Sequence, residues 1–197
     1  MPLSTVTSLN VVDLVRTEFG WCGFRWESEA LAAIVVGYET PAEAARAALG
    51  ETFGDVDVRS ELGTRRSIAK AGLPDAAALL AEAFTAYAEG EGILFPQVKL
   101  ARVPSTSFAA AVLEGCLAIP YGEVRSYGEL AAAAGSPRAS RAVGNVMRTN
   151  RYPILIPCHR VVAAQGRLGG YSSPKGLDFK RRLLAMESCE RTAPNGS

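Results

Sequence analysis

The stretch SYGELAAAAGSPRASRAVGNVMR, residues 126–148, decides the reading of the fold. Ser126 with Glu129 three residues on is a capping box ahead of Leu130-Ala131-Ala132, so a helix begins there and Gly135 closes it. Ser136-Pro137 then starts a second helix at once. On that helix Ala139, Ala142, Val143, Val146 and Met147 recur at the spacing of a buried stripe, while Arg138, Arg141, Asn145 and Arg148 fall on the other side. A short helix, a glycine-containing turn and a second helix with a basic face form the pattern of a helix-turn-helix. The basic face alone is equally that of a solvated helix. Ala139, Ser140, Ala142 and Gly144 would let the backbone approach a nucleic-acid groove closely, or would serve helix packing.

Downstream, after Asn150 and Pro153, the apolar run Ile154-Leu155-Ile156 is expected as a short buried strand that Pro157 halts. It delivers Cys158 beside His159, the single histidine of the chain. A free thiol titrates near 8.5, so nucleophilic use of Cys158 needs an adjacent base or positive charge. Neighbours in an extended chain point to opposite sides, so His159 can assist only through a turn or a bridging water, and it needs a carboxylate to orient its ring. Glu187 is one of few candidates in this acid-poor half. A buried structural cysteine beside a surface histidine is the plainer alternative for such a dipeptide. Upstream, Phe108, Ala111, Val112 and Cys116 give a helical face, with Cys116 read as core, ended by Ile119-Pro120-Tyr121-Gly122.

The N-terminal half reads as an α/β unit. Runs from Leu9 to Val15, Cys22 to Glu27 and Leu31 to Val36 predict three antiparallel strands with turns around Gly20 and Ser28. Thr40-Pro41-Ala42-Glu43 opens a helix to about Leu49. A second helix follows Pro74, with Leu79, Leu80, Ala83, Phe84 and Tyr87 on one apolar face, stopped by Gly90 and Gly92. Ile93 to Leu100 then read as a final strand. No constellation of catalytic type occurs in this half, whose expected role is structural.

Composition bounds these readings. The chain has 197 residues, 48% apolar and 21% charged, enough to build a folded core. No apolar stretch approaches the roughly 18 to 20 residues of a membrane span, and no secretory signal pattern opens the sequence, so a cytoplasmic protein without membrane association is expected. Cys22, Cys116, Cys158 and Cys189 are scattered, and with one histidine no metal site is expected. Residues 1–100 hold 8 Lys/Arg against 14 Asp/Glu, and residues 101–197 hold 13 against 6, so any DNA would meet the C-terminal half. Two halves that attract one another are the alternative.

Pro-Tyr-Gly-Glu-Val-x-Ser-Tyr at 120–127, Arg-Ala-Val-Gly at 141–144, Asn150, and Pro-Ile-Leu-Ile-Pro-Cys-His-Arg-Val at 153–161 closely resemble the O6-alkylguanine-DNA alkyltransferases, also called methylated-DNA–protein-cysteine methyltransferases. The resemblance runs to about residue 187. It implies an α/β architecture: a ribonuclease-H-like N-terminal domain, residues 1–104, followed by a mostly helical winged-helix-type domain with the helix-turn-helix, residues 105–197. It implies direct, stoichiometric transfer of the alkyl group from O6-alkylguanine, and O4-alkylthymine, in double-stranded DNA to Cys158 by a monomer that needs no cofactor. In such proteins the second helix lies in the minor groove, which places Ala139, Ser140, Arg141, Gly144 and Arg148 at DNA, with Arg141 entering the base stack as the nucleotide is flipped out. Tyr127 would rotate the nucleotide and bond guanine N3, and Asn150 would tie the turn that holds the nucleophile. His159 would take the thiol proton through water, with Glu187 orienting it. The main chain near Cys158 and Val161 would read the guanine edge, and Tyr171 and Ser172 would complete the pocket. Leu113 replaces an aromatic residue frequent in the family, which bears on packing, and Ser173-Pro174-Lys175-Gly176 departs from it, which bears on tolerance of bulky O6 groups. The cysteine separates this reading from non-catalytic alkyltransferase-like proteins, which lack it, and a single turnover separates it from a cysteine hydrolase.

Overall fold

A computed structural model describes residues 10–50, 57–62, 75–102, 104 and 106–190. The fold is mixed α/β, and the chain divides into two compact units, Met1–Thr85 with Pro96–Arg102, and Ala86–Phe95 with Val103–Ser197.

In the first unit β1 (Asn10–Thr17), β2 (Gly20–Glu27) and β3 (Ala30–Tyr38) form the expected antiparallel meander. A fourth strand, β4 (Asp57–Leu62), pairs parallel with β1 and gives the order β3-β2-β1-β4. Alternation along β1 sorts the two faces of the sheet. Val12 and Leu14 join Ala44, Ala45, Ala48 and Leu49 of α1 (Pro41–Leu49) in one buried cluster. On the opposite face Phe24, paired with Asp13, meets Phe84 of α2 (Asp75–Ala88) edge-on at 4.9 Å between ring centroids. Helix α1 starts where the sequence places it: Thr40 accepts from the Glu43 amide while the Glu43 carboxylate accepts from the Thr40 amide.

Two readings of this half are corrected. Ile93 to Leu100 form no strand; only Leu100 makes a bridge, to Leu31, through two main-chain hydrogen bonds. Pro96 has no amide hydrogen to donate, and Leu94 is 98% exposed, so this apolar run has no sheet face to bury. The apolar face of α2 is also shifted: Ala77, Leu80, Ala81, Phe84 and Tyr87 are buried, whereas Leu79 is half exposed.

The second unit contains α3 (Ser107–Leu117), β5 (Arg125–Ser126), α4 (Tyr127–Ala133), α5 (Ser140–Arg148), the 3₁₀ turn Cys158–Arg160, β6 (Val161–Val162), a further 3₁₀ segment at Ala164–Gly166, and α6 (Gly176–Glu190). β5 and β6 pair in parallel, Arg125 with Val161 and Ser126 with Val162, which brings the start of α4 beside the 3₁₀ turn. The Ser126–Glu129 capping box is formed. Helix α5, however, begins at Ser140 and not at Ser136-Pro137. The Ser136 amide bonds back to Ala131 O at 2.8 Å and its carbonyl accepts from the Ala139 amide at 2.8 Å, so the segment closes α4 in a turn. The buried stripe of α5 is accordingly narrower than its spacing suggested: Val143 and Met147 are buried, Ala139 and Val146 are partly so, and Ala142 is exposed. Among the described residues no helix is long and apolar enough to cross a membrane.

Gly20, at φ +109°, would place a Cβ 2.5 Å from the carbonyl oxygen of Tyr38, a backbone atom that cannot turn aside. Gly20→Ala is expected to destabilise the protein by about 2 kcal/mol or more, measured as a lower urea midpoint with the slope unchanged.

Candidate active site

Cys158 is held from behind by a turn and not by a strand. Ile154, expected within a strand, has φ +71°, a strained conformation for a β-branched residue. Ile156 N bonds Tyr152 O at 2.8 Å and Cys158 N bonds Ile156 O at 2.7 Å, so the chain from Tyr152 folds on itself and Cys158 opens the 3₁₀ turn. Pro153 and Pro157 bracket the run and withhold the amides a ladder would need. Asn150 supplies the missing partners. Its Oδ1 accepts from Tyr152 N at 3.0 Å, and its Nδ2 donates to Ile156 O at 3.0 Å and lies 3.1 Å from Cys158 Sγ.

Cys158 is 8% exposed and lines a cleft of about 420 Å³ together with Tyr127, Gly144, Met147, Arg148, Asn150, Pro153, Gly170, Tyr171 and Ser172. Burial pushes its thiol above the ordinary range, and the Asn150 amide and the Lys180 ammonium pull it back only in part. The resting sulfur is therefore a thiol that needs a base. Cys116, the core cysteine of α3, is raised by burial to about 12.

A candidate base follows Cys158 in the chain. His159 is fully buried, so the surface-histidine alternative does not hold, and its Nε2 is 2.8 Å from Glu187 Oε1. The Glu187 carboxylate also accepts from the Tyr87 hydroxyl at 2.5 Å, from Arg160 Nε and Nη2 at 2.9 Å each, and from the Gly122 amide at 3.2 Å. Burial pushes Glu187 up, but the hydrogen bonds from His159 and Arg160 outweigh it and hold the carboxyl at about 2. Facing an ionised carboxylate, Nε2 carries the proton and Nδ1 is the bare acceptor. Nδ1 is buried and makes no hydrogen bond among the described residues. Burial keeps the imidazole below its usual value, hence neutral and competent as a base.

Tyr127 opens α4, and its ring fits because residue 169 is glycine: a Cβ there, at φ +68°, would lie 2.8 Å from the Tyr127 hydroxyl. Burial, with the Cys158 sulfur nearby, raises the phenol above its usual value, so it stays protonated. Lys180 is fully buried, donates to Val161 O at 2.6 Å, and lies 6.0 Å from the Tyr127 ring centroid. Burial lowers its ammonium to about 8.

Of the residues expected from the sequence, Tyr127, Gly144, Arg148, Asn150, Cys158, Tyr171 and Ser172 border one cleft, and the Ser172 hydroxyl reaches Arg148 O at 3.4 Å. His159 and Glu187 are buried and bonded to each other. Val161 is buried, with its carbonyl taken by Lys180. Ser140 and Arg141 are exposed on α5, and Ala139 caps it. Tyr87, Arg160 and Lys180 were not among the expected site residues. Among the described residues no group of three or more His, Cys, Asp or Glu could hold a metal ion.

A family model described as "6-O-methylguanine DNA methyltransferase, DNA binding domain" matches residues 107–189. A methylated-DNA–protein-cysteine methyltransferase of Methanosarcina acetivorans is 50% identical over 105 residues, 53% of this chain and 65% of the relative. That of Mycobacterium tuberculosis is 47% identical over 88 residues, 45% of this chain and 52% of the relative. The matched stretch thus spans about half to two thirds of the length of these curated relatives. Among solved structures, the M. tuberculosis O6-methylguanine methyltransferase superposes with a TM-score of 0.67 at 28% identity, covering 95% of this chain and 97% of that one. The M. tuberculosis protein in complex with DNA gives 0.64 at 29% identity, covering 91% and 93%.

The Glu187 and His159 shifts fix an acid limb of stability. Both groups titrate lower in the folded state than in the unfolded chain, so their contribution is full above about pH 6.5 and is lost as pH falls through the unfolded values toward the folded ones. Glu187→Gln is expected to remove up to about 3 kcal/mol at pH 7. The gap to wild type should shrink below about pH 4.5, as followed by urea unfolding from pH 7 to pH 3.

Proposed function

We propose that this chain, similar to the O6-alkylguanine-DNA alkyltransferases in its C-terminal half and in its fold, belongs to that family and repairs DNA by moving the alkyl group of O6-alkylguanine, and of O4-alkylthymine, irreversibly onto Cys158. The observation that carries the reading is the arrangement around the cysteine: Cys158 lines an open cleft, and the next residue in the same turn, His159, is buried, neutral and held by the Glu187 carboxylate.

The steps follow from these groups. Through water, His159 Nδ1 takes the thiol proton, and the sulfur attacks the alkyl carbon in line. The S–C bond forms as the C–O6 bond breaks, and the electron pair passes to the guanine. Tyr127, still protonated, donates a hydrogen bond to N3 that stabilises the departing guanine anion, and the proton held by His159 returns through water to leave neutral guanine and neutral imidazole. The Lys180 ammonium lowers the cost of the developing thiolate. The product is a thioether with no easy leaving route, so each molecule acts once.

Double-stranded DNA is the partner. Helices α4 and α5 are read as a helix-turn-helix whose second member enters the minor groove through Ala139, Ser140, Arg141, Gly144 and Arg148, with Arg141 filling the stack left by the flipped nucleotide. The exposed Arg141 and Ala142 support this, as does the relative crystallised with DNA. In the same reading residues 1–104 are a ribonuclease-H-like domain, residues 105–197 a winged-helix-type domain, and the protein a cytoplasmic monomer. Tyr171 and Ser172 close the base pocket, with the main chain around Cys158 and Val161 at the guanine edge.

Incubation with an oligonucleotide containing O6-methylguanine should add one methyl group to Cys158 by intact mass, and none to Cys158→Ala. Wild type that binds the lesion yet stays unmodified would overturn the transferase reading, and continued turnover would favour a hydrolase. Arg141→Ala is expected to slow repair of duplex DNA by at least about tenfold while changing the reaction with free O6-benzylguanine by less than about twofold. Equal losses on the two substrates would remove Arg141 from the base stack.

A further inference from the structure

Tyr87 lies in α2, on a helix face that the sequence explains entirely as core, yet it carries a hydroxyl that packing does not need. A phenylalanine would make the same ring contacts, with Phe95 at 5.7 Å and Tyr121 at 6.1 Å between centroids. A fully buried hydroxyl costs free energy unless it is bonded. Here it reaches Glu187 Oε1 at 2.5 Å and lies 3.2 Å from His159 Nε2. The two rings pack against the tyrosine and hold its hydroxyl at the carboxylate.

Resting on the alkyl-transfer reading above, we propose that Tyr87 is a positioning residue for that reaction: by donating to Glu187 it sets how strongly the carboxylate holds His159 and keeps the imidazole in the tautomer with a bare Nδ1. Oxygen Oε1 is shared by three donors, Tyr87, His159 Nε2 and Arg160 Nη2. Three donors on one oxygen compete, so each weakens the others' hold on its charge. With Tyr87 in place the carboxylate orients the imidazole without drawing a second proton onto it. Without the hydroxyl, more of the negative charge falls on Nε2–H, the imidazolium becomes easier to form, and less neutral base is present at a given pH. The other charged or titratable groups around His159 are Cys158 and Arg160 on its own turn and Lys180 on α6; Arg160 in turn lies 5.6 Å over the Tyr121 ring. None of them replaces a donor on Oε1 when the tyrosine hydroxyl is removed, because Arg160 is already bound there.

The test compares three full-length proteins: wild type, Tyr87→Phe, and the protein carrying 3-fluorotyrosine at position 87, which retains the hydroxyl and makes it a stronger donor. The rate of reaction with O6-benzylguanine is followed by intact mass from pH 5 to 8.5. His159 is the single histidine, so its ring nitrogens can be read by NMR without ambiguity. Tyr87→Phe should still accept one alkyl group, but about threefold more slowly on the rising limb below the His159 midpoint, the size of a half-unit shift, with the difference fading toward pH 8.5. The midpoint of its rising pH limb and of the His159 titration should both move up by about half a unit or more. Fluorotyrosine should move both midpoints down. A slower Tyr87→Phe with both midpoints unmoved would reduce Tyr87 to packing and overturn the proposal, as would unchanged rate and midpoints together. If wild type accepts no alkyl group the transferase reading fails, while the NMR titrations of the two variants still decide whether Tyr87 governs His159.

Discussion

One buried carboxylate ties the second unit together. Glu187 comes from α6, and its donors come from α2, from the loop after α3, and from the 3₁₀ turn that carries the cysteine. A lone carboxylate taken out of water would neutralise itself or unfold its surroundings. Five hydrogen bonds, two of them from the Arg160 guanidinium, hold it ionised instead. Arg160 extends the tie by donating to Ile119 O at 2.8 Å. The donors come from three segments, so the interaction that orients His159 also locks the turn that carries Cys158. Stability and chemistry are inseparable there, since losing the carboxylate strands a buried cation as well as the imidazole.

Around the sulfur, desolvation wins over the local charges. The Asn150 amide and the Lys180 ammonium favour the thiolate, but burial raises the thiol more than they lower it. A site built for repeated turnover gains from a standing thiolate. A protein that we propose is consumed by its own reaction gains from the opposite, because a thiolate at rest would be spent on stray electrophiles. In the proposed reaction the neutral His159, with its bare Nδ1, is the group that takes the thiol proton.

The local features of the fold were legible in the sequence. Capping boxes at Thr40 and Ser126 and the strand meander need only a few neighbouring residues, and they form as written. What was misread depends on distant partners. β4 pairs in parallel with β1, a contact that no local pattern announces. Ile93 to Leu100 lack a ladder to join, and Ile154 to Ile156, apolar enough for a strand, are bent by Asn150 into a turn. The same division holds at the site. Cys158, His159 and Asn150 stand in one recognisable segment, whereas Tyr87 looks like core and Lys180 like surface. A clue to Lys180 was present: with Leu183 and Glu187 it falls at i, i+3 and i+7, one face of α6, so the lysine had to be buried with the glutamate if Leu183 was.

Small residues in this unit differ in whether internal packing requires them. Gly169 is explained from within, because Tyr127 occupies the space its side chain would need. Gly144 is not: a Cβ there would meet nothing within 4 Å, so packing would accept alanine, which helices prefer. Ala142, two residues earlier, is exposed and equally unconstrained by its neighbours. Glycine inside an exposed helix costs stability and returns none to the fold. Gly144 borders the Cys158 cleft, so its small size keeps that opening clear, and under the proposed function a backbone that can be approached closely while Arg141 projects from it suits a nucleic-acid groove.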